Sequence, residues 1–224
     1  MKVVQCWDDG VATDLRLIEL LRKYGAKATF NLCPGIMKDD RIEPHWAEPG
    51  YNGASTRGFF GGRIGRREMY EVYKDFQVAS HCWSHECAGK VPDEKFIAAA
   101  LDARHFLEDM FGRPCRGFAW PCSCNTPSTC DLLRENGFAY ARLVGETEDV
   151  TSFSDPMLLT PSCHFLAQDF YARYERAKKV GVFYFWGHTY EMMDSPGMWG
   201  QLEDKLAWIS RDPDAEWADV IDLV

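Results

Sequence analysis

About seven times along this chain a short apolar segment is followed by a stretch of helical period, and this alternation limits the possible folds more than any other feature. Residues 2–6 (KVVQC) read as a strand, and 13–24 (TDLRLIELLRKY) as an amphipathic helix closing on Gly25. Residues 27–32 form the next expected strand, and 66–76 a helix feeding a strand over 77–81. Helical spacing is clearest over 93–111, where Phe96, Ile97, Ala100, Leu101, Phe106 and Leu107 recur between Pro92 and Gly112. Strands are then expected over 116–120, 138–144, 182–186 and 218–223. Helices are expected from Pro127 to Gly137 and over 167–179 and 198–211. Strands separated by helices pair in parallel, and 224 residues suit a closed or nearly closed barrel, although periodicity alone also allows an open sheet. One domain spanning 1–224 is expected. The Gly-rich stretch 38–67 breaks the rhythm and reads as an inserted loop, either part of a substrate-binding rim or a bystander.

Charge and composition narrow the function. A net charge of −9 argues against nucleic acid or an anionic membrane as partner, because phosphate groups require clustered Lys and Arg, and the densest basic stretch, Arg63 to Arg67, is short. There is no apolar run of about 18 residues, the length that would mark a transmembrane helix. Residues 1–6 enter a strand with no basic segment and apolar core of a signal peptide, so a cytoplasmic location is expected. Nine cysteines are too sparse for a disulfide scaffold and fit reduced thiols.

In a parallel barrel the chemistry gathers at the carboxyl ends of the strands. The polar residues expected there are Asp8 and Asp9, Asn31, His81 and His85, the run Trp120 to Cys122, Arg142, and His188 behind the aromatic run Phe183 to Trp186. Imidazoles four apart are expected on one face of a helical turn. A carboxylate from another strand would complete a three-ligand metal site with open positions. Either pattern alone is weak, since Asp-Asp-Gly is also ordinary turn chemistry; together at strand ends they point to a catalytic metal. His164 is expected either to line the cleft or to serve as a hydrogen-bonded structural residue. A rival reading uses Cys115, Cys122, Cys124 and Cys130, or His81, Cys82, His85 and Cys87, as a structural zinc or iron–sulfur module, although the spacings lack paired C-x2-C knuckles.

Five ordered segments resemble the polysaccharide deacetylases, the NodB-homology group of carbohydrate esterases. Cys6-Trp7-Asp8-Asp9-Gly10 is similar to that family's T-F-D-D-G, Ala28-Thr29-Phe30 to A-T-F, and His81-Cys82-Trp83-Ser84-His85 to H-S/T-x-x-H. Phe118-Ala119-Trp120-Pro121-Cys122-Ser123 resembles F-R-P-P-Y-G, and Trp186-Gly187-His188 resembles the late L-x-H segment. The resemblance implies a distorted (β/α) barrel of about seven parallel strands. It also implies one divalent ion, zinc first with cobalt, manganese or nickel as alternatives, on Asp9, His81 and His85. Asp8 would be the base that takes a proton from the water on that ion, and His188 the acid that protonates the leaving amine. The Cys122 N–H would stabilise the oxyanion. Asn31, Trp120, Arg142 and His164 are the expected substrate-binding residues. The implied activity is hydrolysis of a C–N amide bond, deacetylating an N-acetylated sugar or an oligo- or polysaccharide. The alternatives are a small linear or cyclic amide or imide, or carbohydrate binding without catalysis. Ala119 stands where the family carries the arginine that orients the base, leaving Arg116 or Arg142 to substitute. Asp149 and Asp155 lie in the region of the late histidine's usual support.

Overall fold

The computed structural model describes residues 1–48 and 55–224. Its elements run β1 (Lys2–Asp8), α1 (Asp14–Tyr24), β2 (Thr29–Leu32), β3 (His45–Trp46), β4 (Phe59–Phe60), α2 (Met69–Tyr73), β5 (Gln77–Ser80), α3 (Asp93–Phe111), β6 (Gly117–Ala119) and α4 (Pro127–Glu135). They continue with β7 (Tyr140–Arg142), β8 (Cys163–His164), α5 (Phe170–Ala177), β9 (Val182–Gly187), α6 (Met198–Ser210) and β10 (Glu216–Ala218). Seven strands form a curled parallel sheet in the order β7-β6-β5-β2-β1-β9-β8, a distorted (β/α) barrel left open between its two edge strands. The strand β1 has three partners: β9 along one edge, and on the other β2 against Cys6–Asp8 and β10 against Lys2–Val4. This register sets Asp8 opposite Asn31, and Trp7 opposite Gly187, so the carboxyl ends of β1, β2 and β9 finish level.

Side chains alternate across β1 as the pleat requires. Val3 and Trp7 face the helices, where Trp7 packs against Phe165 with ring centroids 5.2 Å apart, in a cluster with Phe30, Tyr73, Phe183 and Phe185. Val4 and Cys6 face inward with Tyr140 and Tyr184. Each fully buried aromatic of this kind contributes roughly 1.5–3 kcal/mol of apolar burial, which holds the strand ends in place. Local chemistry sets the helix limits. Gly25 and Gly112 adopt left-handed caps after α1 and α3, and Thr126 and Thr129 form a reciprocal capping box at the start of α4.

Several boundaries differ from the sequence-based expectation. Residues 66–76 carry a helix only from Met69 to Tyr73. The strand expected over 218–223 is Glu216–Ala218, followed by a 3-10 turn at Val220–Leu223 that a reciprocal cap between Asp219 and Asp222 stabilises. The two-residue β8 is too short for any periodic signal. Within 38–67, β3 and β4 pair as an antiparallel hairpin, extended by a bridge between Ile42 and Arg63; residues 49–54 of this stretch lie outside the described residues. Among the described residues no helix is long and apolar enough to cross a membrane.

Candidate active site

A cavity of about 580 Å³ opens at the carboxyl ends of the strands, lined by Asp8, Asp9, His81, His85, Cys122 and His188 among others. Asp8 ends β1, and the next two residues, Asp9 and Gly10, both take left-handed backbone angles (φ 78° and 63°). That turn bends the chain at once, so both carboxylates face the cavity, whereas a continued strand would send them to opposite sides.

Two hydrogen bonds fix Asp8 from behind. Asn31 Nδ2 donates to its Oδ1 at 2.6 Å, and the Arg142 guanidinium donates to Oδ2 in a pair buried on both sides. Burial alone would raise the Asp8 pKa, but Arg142 first, then His81, His188 and Asn31, outweigh it and hold the carboxyl well below its usual range. Arg142 Cζ also sits over the Trp186 ring, 5.0 Å from its centroid. The cation that pairs with Asp8 therefore arrives from β7, next door to the strand whose Ala119 occupies the family's arginine position, and Arg116 instead reaches the Gly137 carbonyl.

Asp9 Oδ1 faces His81 Nε2 at 3.7 Å and His85 Nε2 at 4.0 Å, and the three donor atoms lie within 4.8 Å of one another. A tetrahedral ion with bonds of about 2.0–2.1 Å needs donors roughly 3.3 Å apart, so the two Asp9 contacts, at 3.7 and 4.0 Å, must close by roughly 0.4 and 0.7 Å to hold one. The chemistry of the donors fits as well. His81 Nδ1 donates to the Ala119 carbonyl at 2.7 Å, which leaves Nε2 with a lone pair directed at the site. Burial lowers the His81 pKa to about 4, keeping it the neutral ligand a metal requires. The expected helical turn is absent: Cys82 and His85 carry left-handed angles (φ 61° and 63°) in a loop, which brings the two rings edge to face at 4.8 Å.

Across the cavity, His188 Nε2 stands 3.8 Å from Asp8 Oδ2. Its support is Glu191. The Glu191 Oε2 accepts the His188 backbone N–H at 2.9 Å and faces His164 Nε2 at 3.1 Å, while Oε1 lies 3.5 Å from His188 Nδ1. Burial opposes charge on His188, but Glu191, then Asp9 and Asp8, push its pKa up to about 9. Glu191 itself, despite burial, is held at about 2 by His164 and His188.

The expected substrate contacts are redistributed. Asn31 and Arg142 do not line the cavity; both are spent on Asp8. His164 also stands back, accepting the Leu166 N–H on Nδ1 and meeting Glu191 through Nε2. Trp120 forms part of the floor but is 1% exposed, stacked on Phe96, with its indole N–H donated to Met157 O at 2.8 Å, so no ring face is free for a sugar. Asp149 and Asp155 cap local turns, and neither supports His188. The cavity wall instead includes Trp186, Tyr190, Phe60 and Arg63, the last two from the 38–67 stretch. Sequence reasoning missed Arg63, Tyr190 and Glu191. For Glu191 a signal existed: an acid three residues after a histidine, as in a capping box. The cysteine modules do not assemble as grouped. Cys115 and Cys130 are buried in separate apolar clusters, and Cys82 is buried away from solvent.

The polysaccharide deacetylase family profile matches residues 1–141, well over half of the chain, and ends one residue before Arg142. No curated protein sequence matches. Among solved structures, a family 4 carbohydrate esterase from Bacillus anthracis is similar at 15% identity and TM-score 0.61, covering 99% of this chain and 81% of its own. A family 4 acetyl xylan esterase from Clostridium thermocellum, in complex with a cobalt ion, is similar at 15% identity and TM-score 0.55, covering 100% and 90%. The 4-α-glucanotransferase from Thermococcus litoralis is similar at 10% identity and TM-score 0.67, covering 100% of this chain and 40% of its own. At these identities the likenesses establish the fold and leave chemistry to the site.

Proposed function

Because the chain belongs to the polysaccharide deacetylase family, we propose that it is a metal-dependent hydrolase that removes the acetyl group from an N-acetylated sugar or its oligomers. The observation that carries this reading is the single cavity that joins the Asp9, His81 and His85 donor set to two oppositely tuned groups, Asp8 and His188. A divalent ion on that set would supply a Lewis acid that lowers the pKa of a water and polarises an amide carbonyl. Zinc is the first choice, with cobalt, manganese and nickel as alternatives; the cobalt ion in the Clostridium thermocellum esterase supports a divalent ion in general.

The chain's own groups divide the remaining work. Asp8, ionised and pinned by Arg142 and Asn31, takes the proton of the attacking water. Asn31 holds one Asp8 oxygen and Arg142 the other, which fixes the orientation of the carboxylate. The Cys122 N–H, in the turn after β6, serves the developing oxyanion. His188, protonated up to about pH 9, delivers a proton to the departing nitrogen, which would otherwise leave as a very poor amide anion. Glu191 supports that charge from the side away from substrate. A cavity of about 580 Å³ falls in the range of small-molecule sites, and Trp186, Tyr190 and Phe60 offer apolar surface for a pyranose ring.

A second substrate class is favoured by one feature, the Phe60 and Arg63 side chains that the 38–67 stretch adds to the cavity wall, which suits a small linear or cyclic amide better than a long glycan. Acetate and ammonia release, measured across N-acetyl sugars, oligosaccharides and cyclic amides with added zinc, cobalt or manganese, separates the two. Asp8→Asn should retain the ion and lose roughly 10²–10⁴-fold in turnover, whereas His81→Ala should lose the ion as read by metal analysis. Full turnover in Asp8→Asn would sink the base assignment.

A further inference from the structure

Nine thiols are free in this chain, and six of them are buried. The other three, Cys87, Cys122 and Cys124, are the ones solvent reaches, and they converge from two loops at the rim of the cavity. Cys87 follows His85 in the loop after β5, its Sγ 3.9 Å from the His85 carbonyl. Cys122 and Cys124 bracket the turn after β6, with Cys124 Sγ 3.7 Å from the Cys122 carbonyl. The sulfurs of Cys87 and Cys122 and a ring nitrogen of His85 all lie within 4.8 Å of one another. Left-handed backbone at His85 and at Cys122 (φ 63° and 52°) turns the two loops towards each other.

We propose that Cys87 and Cys122, with His85 at their edge, form a second ion site selective for a thiophilic metal such as zinc, cadmium or copper(I). Two sulfurs and one imidazole make a soft three-donor set, unlike the harder Asp-His-His set beside it. Each thiol gives its proton to solvent as its sulfur–metal bond forms, so uptake releases protons and tightens as pH rises. His85 belongs to both donor sets, with Nε2 turned towards Asp9 at 4.0 Å. Filling the thiol site therefore draws on a ligand of the first site and shifts the Cys122 backbone at the cavity wall. Excess soft metal should inhibit by this route. The thiol site itself does not depend on the hydrolase reading, since none of its sulfurs belongs to the Asp9, His81 and His85 set.

The test titrates cadmium into the fully reduced chain and follows sulfur-to-cadmium charge-transfer absorbance. The wild type should develop that absorbance to saturation at one equivalent. Asp9→Asn/His81→Ala, stripped of the first donor set, should keep it, and Cys87→Ser/Cys122→Ser should lose it. Absence of the band in the wild type overturns the proposal, as does a band of equal strength in the double-serine variant, which would trace it to other thiols. A measurement that needs no variant runs alongside: alkylation mapped by mass spectrometry, in which bound cadmium should protect Cys87 and Cys122 together. Alkylation of these two at the same rate with and without cadmium refutes the site even if the serine variant fails to fold.

Discussion

Replacing Arg142 by Gln removes the cation behind Asp8 and leaves its carboxylate in a pocket where both partners were almost fully buried. Breaking a buried pair by deleting one member costs about 3–5 kcal/mol. Asn31 still donates to Oδ1 at 2.6 Å, so the expected loss sits at the lower end, about 3 kcal/mol. At about 1.4 kcal/mol per unit, that interaction corresponds to roughly a two-unit rise in the Asp8 pKa. The sign follows from linkage. The wild-type carboxyl lies below its unfolded value, so its stabilisation is present at neutral pH and lost only as pH falls below about 4. In Arg142→Gln that stabilisation is gone at neutral pH, and the acid limb of kcat/KM should move up by about two pH units. Thermal unfolding and a pH–rate profile read the two effects. The decisive control is the cycle with Asp8→Asn: a coupling energy near 3 kcal/mol is expected, and additivity within about 0.5 kcal/mol would refute the pairing as the source.

Two further changes probe the opposite wall. Glu191→Gln removes the charge that holds His188 protonated up to about pH 9, so the alkaline limb should slide towards the ordinary histidine value of about 6.5; an unmoved limb would mean that His188 is not the titrating acid. Gly187→Ala places a Cβ 2.2 Å from the Phe165 ring, which is itself packed against Trp7, and should destabilise by about 1–3 kcal/mol in thermal unfolding. An unchanged midpoint would show that β9 can move away from β8 without cost.

The alternation of strands and helices was readable because burial on two faces imposes apolar runs on β1, β2 and β9, whatever their loops do. The strand ends then located Asp8, Asp9, His81, His85 and His188 around one cavity at the mouth of the barrel. What stayed hidden depends on tertiary closure. Arg142 sits at a strand end, as expected, but only the register of β6 against β7 shows that it faces Asp8 and not substrate. His164 has the same ambiguity: its neighbour Glu191 arrives from beyond another strand. The loop between His81 and His85 was misread as helical because i, i+4 spacing is shared by a helix and by a loop with two left-handed residues. Arg63 gave no signal, since a cation in a Gly-rich stretch normally faces solvent.

The strand that carries Asp8 also has the longest wait for its neighbours. On the register seen here, Lys2 pairs with Val182 along one edge and with Glu216 on the other, while β2 covers only the upper part of β1. At synthesis rates of roughly 5–20 residues per second, β1 spends on the order of ten seconds or more outside the ribosome with one edge bare. Contacts so distant in sequence also make for slow folding. A strand made well before two of its partners is thus secured late. During that interval the run VVQCW is a template for misplaced strands, so chaperone demand during synthesis should fall on residues 2–8 before any other part of the chain.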